Sequence, residues 1–293
     1  MKSNKKLSGK KAVVIGGSRG ICKAIARGFL EEGASVMLVS RLKEELKTAQ
    51  KELSVLGNVD TCVADVSVLK DMKKLAGKVQ KKWKGIDILV NGAAISGPIG
   101  PILESDPVEW DASVKVTLVG TFHGIRLLVP LMVKRKKGVV INFVGAGEGP
   151  FLNYTSYTAA KGGVMRLNET AAAELKDTGV RMNAIAPGAV NTRFLEDLLK
   201  AGPKKAGKEN YERALRQKDS GGVSPEKAAR LCVWLASDAS IGITGKIFSA
   251  QWDPYEDFPQ RLVDLMSTDI YTMRRVRPKD RGFDWDPFDP IKK

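Results

Sequence analysis

Tyr157 and Lys161 stand four residues apart, the spacing that puts two side chains on one helix face, one turn from each other. A phenol with its ordinary pKa of about 10 exchanges protons poorly at neutral pH. An ammonium beside it stabilises the phenolate and lowers that pKa, so the pair is suited to passing a proton to or from an oxygen. Rival chemistries are scarce. His123 is the single histidine and stands among apolar residues, which points to packing and leaves no Ser-His-Asp or Cys-His arrangement. Cys22, Cys62 and Cys232 have no CxxC or Cys/His spacing, so no metal site and no disulfide framework is expected.

A second candidate lies near the N-terminus. Ala12-Val13-Val14-Ile15 is apolar, Gly16-Gly17-Ser18-Arg19-Gly20-Ile21-Cys22 follows, and a helical run begins at Lys23. A glycine turn between strand and helix lets the backbone approach a pyrophosphate, and the helix N-terminus adds free N–H groups and a favourable dipole. The next strand ends Val39-Ser40-Arg41, without the acid that usually holds an unphosphorylated ribose. Arg19 and Arg41 can instead flank a 2′-phosphate, with Ser40 donating a hydrogen bond. The expected cofactor is therefore NADP(H).

Elements must hold these groups in place. Strand candidates are Ala12–Ile15, Ser35–Val39, Asp60–Ala64, Ile86–Val90, Gly138–Val144, Arg181–Ala186 and Lys246–Ala250, several nearly all apolar, as strands covered on both faces are. Between them run helical patterns such as Leu69, Met72, Leu75, Val79 and Trp83. The alternation predicts an α/β fold, a single-domain Rossmann-type doubly wound parallel sheet of about seven strands. Residues 1–250 would form this domain. Residues 193–224, rich in Lys, Glu and Gly, follow a strand end where such sheets place ligands; they read as a mobile substrate flap, with a plain surface helix pair as the alternative. Residues 251–293 form an aromatic and basic C-terminal extension, with Trp252, Tyr255, Phe258, Tyr271, Phe283, Trp285 and Phe288, expected to pack on the domain or on a neighbouring subunit.

With the order of these features in view, the chain resembles the short-chain dehydrogenase/reductase family. Gly16 and Gly20 resemble its TGxxxGxG turn, Asp65-Val66 its adenine-contacting Asp, Asn91-Gly92-Ala93-Ala94 a variant of its NNAG motif, Tyr157 and Lys161 its YxxxK pair, and Pro187-Gly188, with Val190 and Thr192 beyond, its PG motif beside the nicotinamide. The resemblance spans residues 7–250. It implies that Tyr157 exchanges a proton with the substrate oxygen while Lys161 also holds the nicotinamide ribose, and it implies NADP(H) as well. It further implies a homo-oligomer, a dimer or tetramer, built through helices matching Trp110–Val133 and Ser156–Leu175. The small residues Ala159, Ala160, Gly162 and Gly163 would serve that contact or close packing on the chain's own sheet.

Three positions depart from the pattern. The family's carbonyl-polarising Ser would fall at Val144 or Gly145, and neither carries a hydroxyl. Its helix Asn would fall at Thr117, which retains a hydrogen-bonding group. Cys22 stands where the turn usually closes with Gly; packing is the expected role, thiolate chemistry at a helix N-terminus the alternative. Polarisation would then rest on Tyr157 alone or on Asn153, Thr155 or Ser156, and Gly145 with Gly147 would leave room for a bulky or polar substrate.

The leading expectation is an oxidoreductase interconverting a carbonyl and an alcohol by hydride transfer with NADP(H). The alternative is an NADP(H)-binding sensor or assembly partner with weak or no dehydrogenase activity. The net charge of +15 would suit an anionic substrate. Without a zinc-finger, RRM or helix-turn-helix pattern, that charge reads as solvated surface and not as a nucleic-acid site. No apolar run reaches the ~18 residues of a membrane span, and Met1–Lys11 lacks a signal-peptide apolar stretch, so a cytoplasmic protein is expected.

Overall fold

Each predicted strand exists, and each bound lies within two residues of its expected place. The strands are β1 (Lys11–Ile15), β2 (Ser35–Ser40), β3 (Val59–Val63), β4 (Ile88–Asn91), β5 (Gly138–Phe143), β6 (Val180–Ala186) and β7 (Ile247–Ser249). The computed structural model describes residues 5–145 and 150–284; Gly147, Trp285 and Phe288 lie outside them. The strands form one parallel sheet in the order β3-β2-β1-β4-β5-β6-β7. Strand order reverses between β1 and β4. There the following loops diverge and leave a crevice at the C-terminal edge.

Alternation along each strand divides the core into two layers. Ala12 and Val14 pack with Ile25, Phe29 and Leu231 on one face. Val13 and Ile15 pack with Met72, Leu75, Val79 and Met132 on the other. The first layer is closed by α1 (Gly20–Glu31), α2 (Lys43–Leu53) and, further along the chain, α9 (Pro225–Ala236); the second by α3 (Leu69–Trp83), α4 (Pro107–Val114), α5 (Gly120–Val133) and α6 (Thr155–Glu174). Asp106 caps α4 through the Val108 and Glu109 N–H groups at 2.9 and 2.8 Å. A π-helical segment, Lys115–Val119, joins α4 to α5, and such bulges concentrate at functional sites. The resulting helix, Pro107–Val133, has the length and mean hydropathy of a membrane span, and its Leu128, Val129 and Met132 are buried against the sheet. His123 is satisfied inside it, its Nδ1 lying 2.7 Å from the Val66 carbonyl oxygen.

The 193–224 segment folds as α7 (Arg193–Ala206) and α8 (Lys208–Asp219), and α7 is broken at Gly202, whose φ of 75° no other residue adopts easily. After β7 the chain keeps packing on its own domain. Short 3₁₀ turns and α10 (Leu262–Ser267) bring Phe258 against Phe248, Trp234 and Tyr271, at centroid separations of 5.1, 6.2 and 5.2 Å. The edge of β7 is covered: Ile247 N–H donates to the Tyr271 carbonyl at 2.8 Å, and Lys246 Nζ donates to the Thr268 and Ile270 carbonyls, each at 2.9 Å. The extension is thus part of the core. Phe258→Ala should lower unfolding free energy by about 3–5 kcal/mol in urea titrations. A loss below about 1 kcal/mol would mean that the extension merely rests on the surface.

Candidate active site

The glycine turn takes its shape from backbone demands. Gly16 and Gly20 have φ of 84° and 54°, and a Cβ on Gly16 would stand 3.1 Å from the Ala93 nitrogen and 3.2 Å from the Gly92 carbonyl carbon. The turn therefore rests on the Asn91–Ala93 segment at the end of β4. Gly16 N–H donates to the Val39 carbonyl at 2.8 Å, which ties the same turn to β2. No side chain caps α1, so its first-turn N–H groups face the crevice with the helix dipole behind them. A cradle too tight for a Cβ and an uncapped helix start together fit the diphosphate of a dinucleotide.

At the end of β2, Ser18, Arg19, Ser40 and Arg41 all line the cleft, beside one group that the sequence did not single out. Glu45, in the first turn of α2, accepts from Ser18 Oγ at 3.1 Å and from Arg19 at 2.9 Å. Ser18 Oγ is also 3.2 Å from Ser40 Oγ. Arg41 approaches Asp65 at 3.5 Å, and Asp65 accepts from the Ser67 N–H and hydroxyl at 2.9 and 2.6 Å. Burial opposes the charge on Asp65, but the Ser67 hydrogen bonds and Arg41 outweigh it and hold the carboxyl below its ordinary value. Val66, Gly92 and Ala93 continue this wall.

Tyr157 and Lys161 project from α6 into the same cleft. Lys161 Nζ donates to the Phe143 carbonyl at 2.7 Å and lies 5.7 Å from the centre of the Tyr157 ring. The expected depression of the phenol pKa is overturned. Burial pushes Tyr157 up to about 12 and pulls Lys161 down to about 8, so desolvation dominates both groups. The Tyr157 hydroxyl faces Gly145, where an added Cβ would stand 3.1 Å from it, and the Tyr157 ring lies 4.7 Å from that of Phe194.

The three polar groups considered as substitutes for a serine do not line the cleft. Asn153 donates to the Lys205 carbonyl at 2.9 Å, Thr155 accepts from Trp110 Nε1 at 3.2 Å, and the Ser156 hydroxyl is wholly buried and unpartnered. Thr117 also lies behind the wall. It sits in the π segment, its hydroxyl buried and unpartnered, while its carbonyl accepts from Thr121 Oγ1 at 2.7 Å. Asn91 is likewise buried; it donates to Asn142 at 2.9 Å, and Asn142 to Asn168 at 3.0 Å. Burial drives the Cys22 thiol up to about 12, which opposes thiolate chemistry there and favours a packing role.

The facing wall is built from Pro187, Gly188, Val190 and Thr192, with the Thr192 methyl 3.5 Å from the Cβ position of Gly20. The whole cleft encloses about 1480 Å³, beyond the 300–1,000 Å³ typical of one small ligand. Its lining also includes Phe151, Phe194, Leu198, Met165, Trp252 and Tyr271, with Arg193 and Arg213 among the polar groups. Of these, Trp252 and Tyr271 belong to the extension. Its aromatic content was legible, but its return to the cleft was not.

Known proteins share this architecture. A family model described as short chain dehydrogenase matches residues 10–202. The chain is 35% identical over 246 residues to a 3-oxoacyl-[acyl-carrier-protein] reductase of Thermotoga maritima, covering 83% of this chain and 96% of that one. It is 32% identical over 263 residues to 3beta-hydroxysteroid dehydrogenase 2 of Eggerthella lenta, covering 86% and 98% respectively. L-Sorbose reductase of Gluconobacter frateurii, solved with NADPH and L-sorbose, superposes with a TM-score of 0.75 at 28% identity, over 84% of this chain and 96% of that one. The chain belongs to the short-chain dehydrogenase/reductase family, whose members are oxidoreductases using a nicotinamide cofactor.

Proposed function

We propose that this protein is an NADP(H)-dependent reductase of a bulky carbonyl compound, interconverting it with the alcohol. The observation that carries the reading is one cleft holding both the uncapped glycine turn and the Tyr157–Lys161 pair. Gly16, Ser18, Gly20 and Ile21 would cradle the diphosphate, Asp65 and Val66 the adenine, and Gly92, Ala93, Pro187, Gly188, Val190 and Thr192 the nicotinamide half. Arg19, Ser40 and Arg41 would take the 2′-phosphate, drawing Arg19 away from Glu45. When bound, the dinucleotide supplies or accepts the hydride.

Tyr157 holds its proton at neutral pH and donates it to the carbonyl oxygen as negative charge develops there. Lys161, fixed by the Phe143 carbonyl, supplies positive charge behind the forming phenolate, and it would also hold the nicotinamide ribose. Gly145 leaves the space beside the Tyr157 hydroxyl open to a wide substrate, and the aromatic residues of the cleft lining suit an apolar framework. Arg193 and Arg213 favour an anionic group on that substrate. Helices α7 and α8 act as a flap. It is pinned at its base by the Val190–Gly222 bridge and the Val223 N–H to Ala189 carbonyl bond, with glycines of positive φ at 202, 207, 221 and 222 as hinges. Relatives named as a 3-oxoacyl-[acyl-carrier-protein] reductase and a 3beta-hydroxysteroid dehydrogenase support a large carbonyl or alcohol substrate. Ala159 and Gly162 face outward on α6 while Ala160 and Gly163 pack inward, which supports a homo-oligomer through that helix. The absence of a hydroxyl at Gly145 favours one second reading, a dinucleotide-binding protein without turnover.

Turnover separates the two. With NADPH and a panel of cyclic ketones, the wild type should oxidise NADPH, and Tyr157→Phe should lower kcat roughly 100- to 10,000-fold while leaving NADPH binding intact. Binding without turnover in the wild type would select the second reading. Because Lys161 is protonated below its depressed pKa of about 8, kcat/KM for reduction should hold level up to that pH and fall above it. A profile flat to pH 10 would remove Lys161 from its role as the charge behind the phenolate.

A further inference from the structure

Cys22, which stands where the family's turn closes with Gly, and Gly92, in the variant of its NNAG motif, turn out to be neighbours. Cys22 is the third residue of α1, nearly buried, and borders the cleft floor. Gly92 follows the last residue of β4. Its φ is not positive, so the backbone there does not call for glycine. What calls for it is the thiol: a Cβ on Gly92 would collide with Cys22 Sγ, whereas the next atoms, the Ile15 carbonyl oxygen and Phe143 Cδ2, lie at 3.2 and 3.7 Å. The peptide held in this way is the one on which the glycine turn rests, since the Cβ position of Gly16 is 3.1 Å from the Ala93 nitrogen.

We propose that Cys22 is a positioning residue for the dinucleotide: its sulfur holds the space a side chain at position 92 would need, and so sets the height of the Gly92–Ala93 peptide beneath the glycine turn. The two positions then make one exchange of volume across a contact. Packing density leaves no slack for both side chains, and removing the sulfur without filling its place lets the peptide sink. The inference rests on the dinucleotide reading of the cleft.

A double-mutant cycle on the full chain tests it, using Cys22→Ala, Gly92→Ala and the pair together, with NADPH dissociation constants and thermal midpoints read side by side. Alanine at position 22 keeps the helix propensity, so the first variant removes only the sulfur. Gly92→Ala should weaken NADPH binding about tenfold or more and Cys22→Ala a few-fold, while the double variant should return to within about threefold of wild type. If Gly92→Ala fails to fold, folding and NADPH binding by the double variant show the same rescue. Additive losses would overturn the proposal. So would a double variant that regains its thermal midpoint but not its affinity, because the thiol would then be packing alone. A wild type that binds no dinucleotide refutes the cofactor reading itself, which is a separate outcome.

Discussion

The close approach of the Gly16 turn to the Gly92–Ala93 peptide is the constraint on which the rest of the cleft depends. It joins β1 to β4 where the strand order reverses, and it brings the α1 N-terminus over the C-terminal edge of the sheet. Only there do successive loops diverge enough to leave a crevice. The Val39 carbonyl fixes the turn from the β2 side. That contact ties the Ser40–Arg41 corner to the glycine turn.

Burial sets the proton chemistry on the opposite wall. In water the lysine would lower the pKa of the tyrosine; in the enclosed cleft desolvation raises the phenol and weakens the ammonium instead. A tyrosine that keeps its proton suits donation to a carbonyl oxygen, and a lysine close to losing its own responds to charge that forms nearby. The Phe143 carbonyl keeps the ammonium in place while this balance is struck.

Much of this was legible in the residues. The strands could be read because both of their faces are covered, which forces continuous apolar runs such as Ala12–Ile15. Tyr157 and Lys161 could be read because four residues make about one helical turn, and the same rule explains why Ser156 fails: a step of about 100° turns it from the cleft into the packing against α4. What was not legible depends on contacts distant in sequence. Glu45 meets Ser18 and Arg19 only after α2 folds back over β2, and the first-turn acids Glu44 and Glu45 were its only local sign. The π segment at Thr117 has no local signature, and it lies where that hydroxyl ends up behind the wall. Tyr271 reaches the cleft because Lys246 and Ile247 hold the extension against the β7 edge.

The central claim is that the corner formed by Arg19, Ser40 and Arg41 reads a 2′-phosphate although Glu45 already engages Arg19. Equilibrium titration of the wild-type chain with NADPH and with NADH tests this most directly. The account predicts that NADPH binds at least about tenfold more tightly, equivalent to about 1.4 kcal/mol, with the gap narrowing as salt screens the arginines. Equal affinities, or tighter binding of NADH, would contradict it.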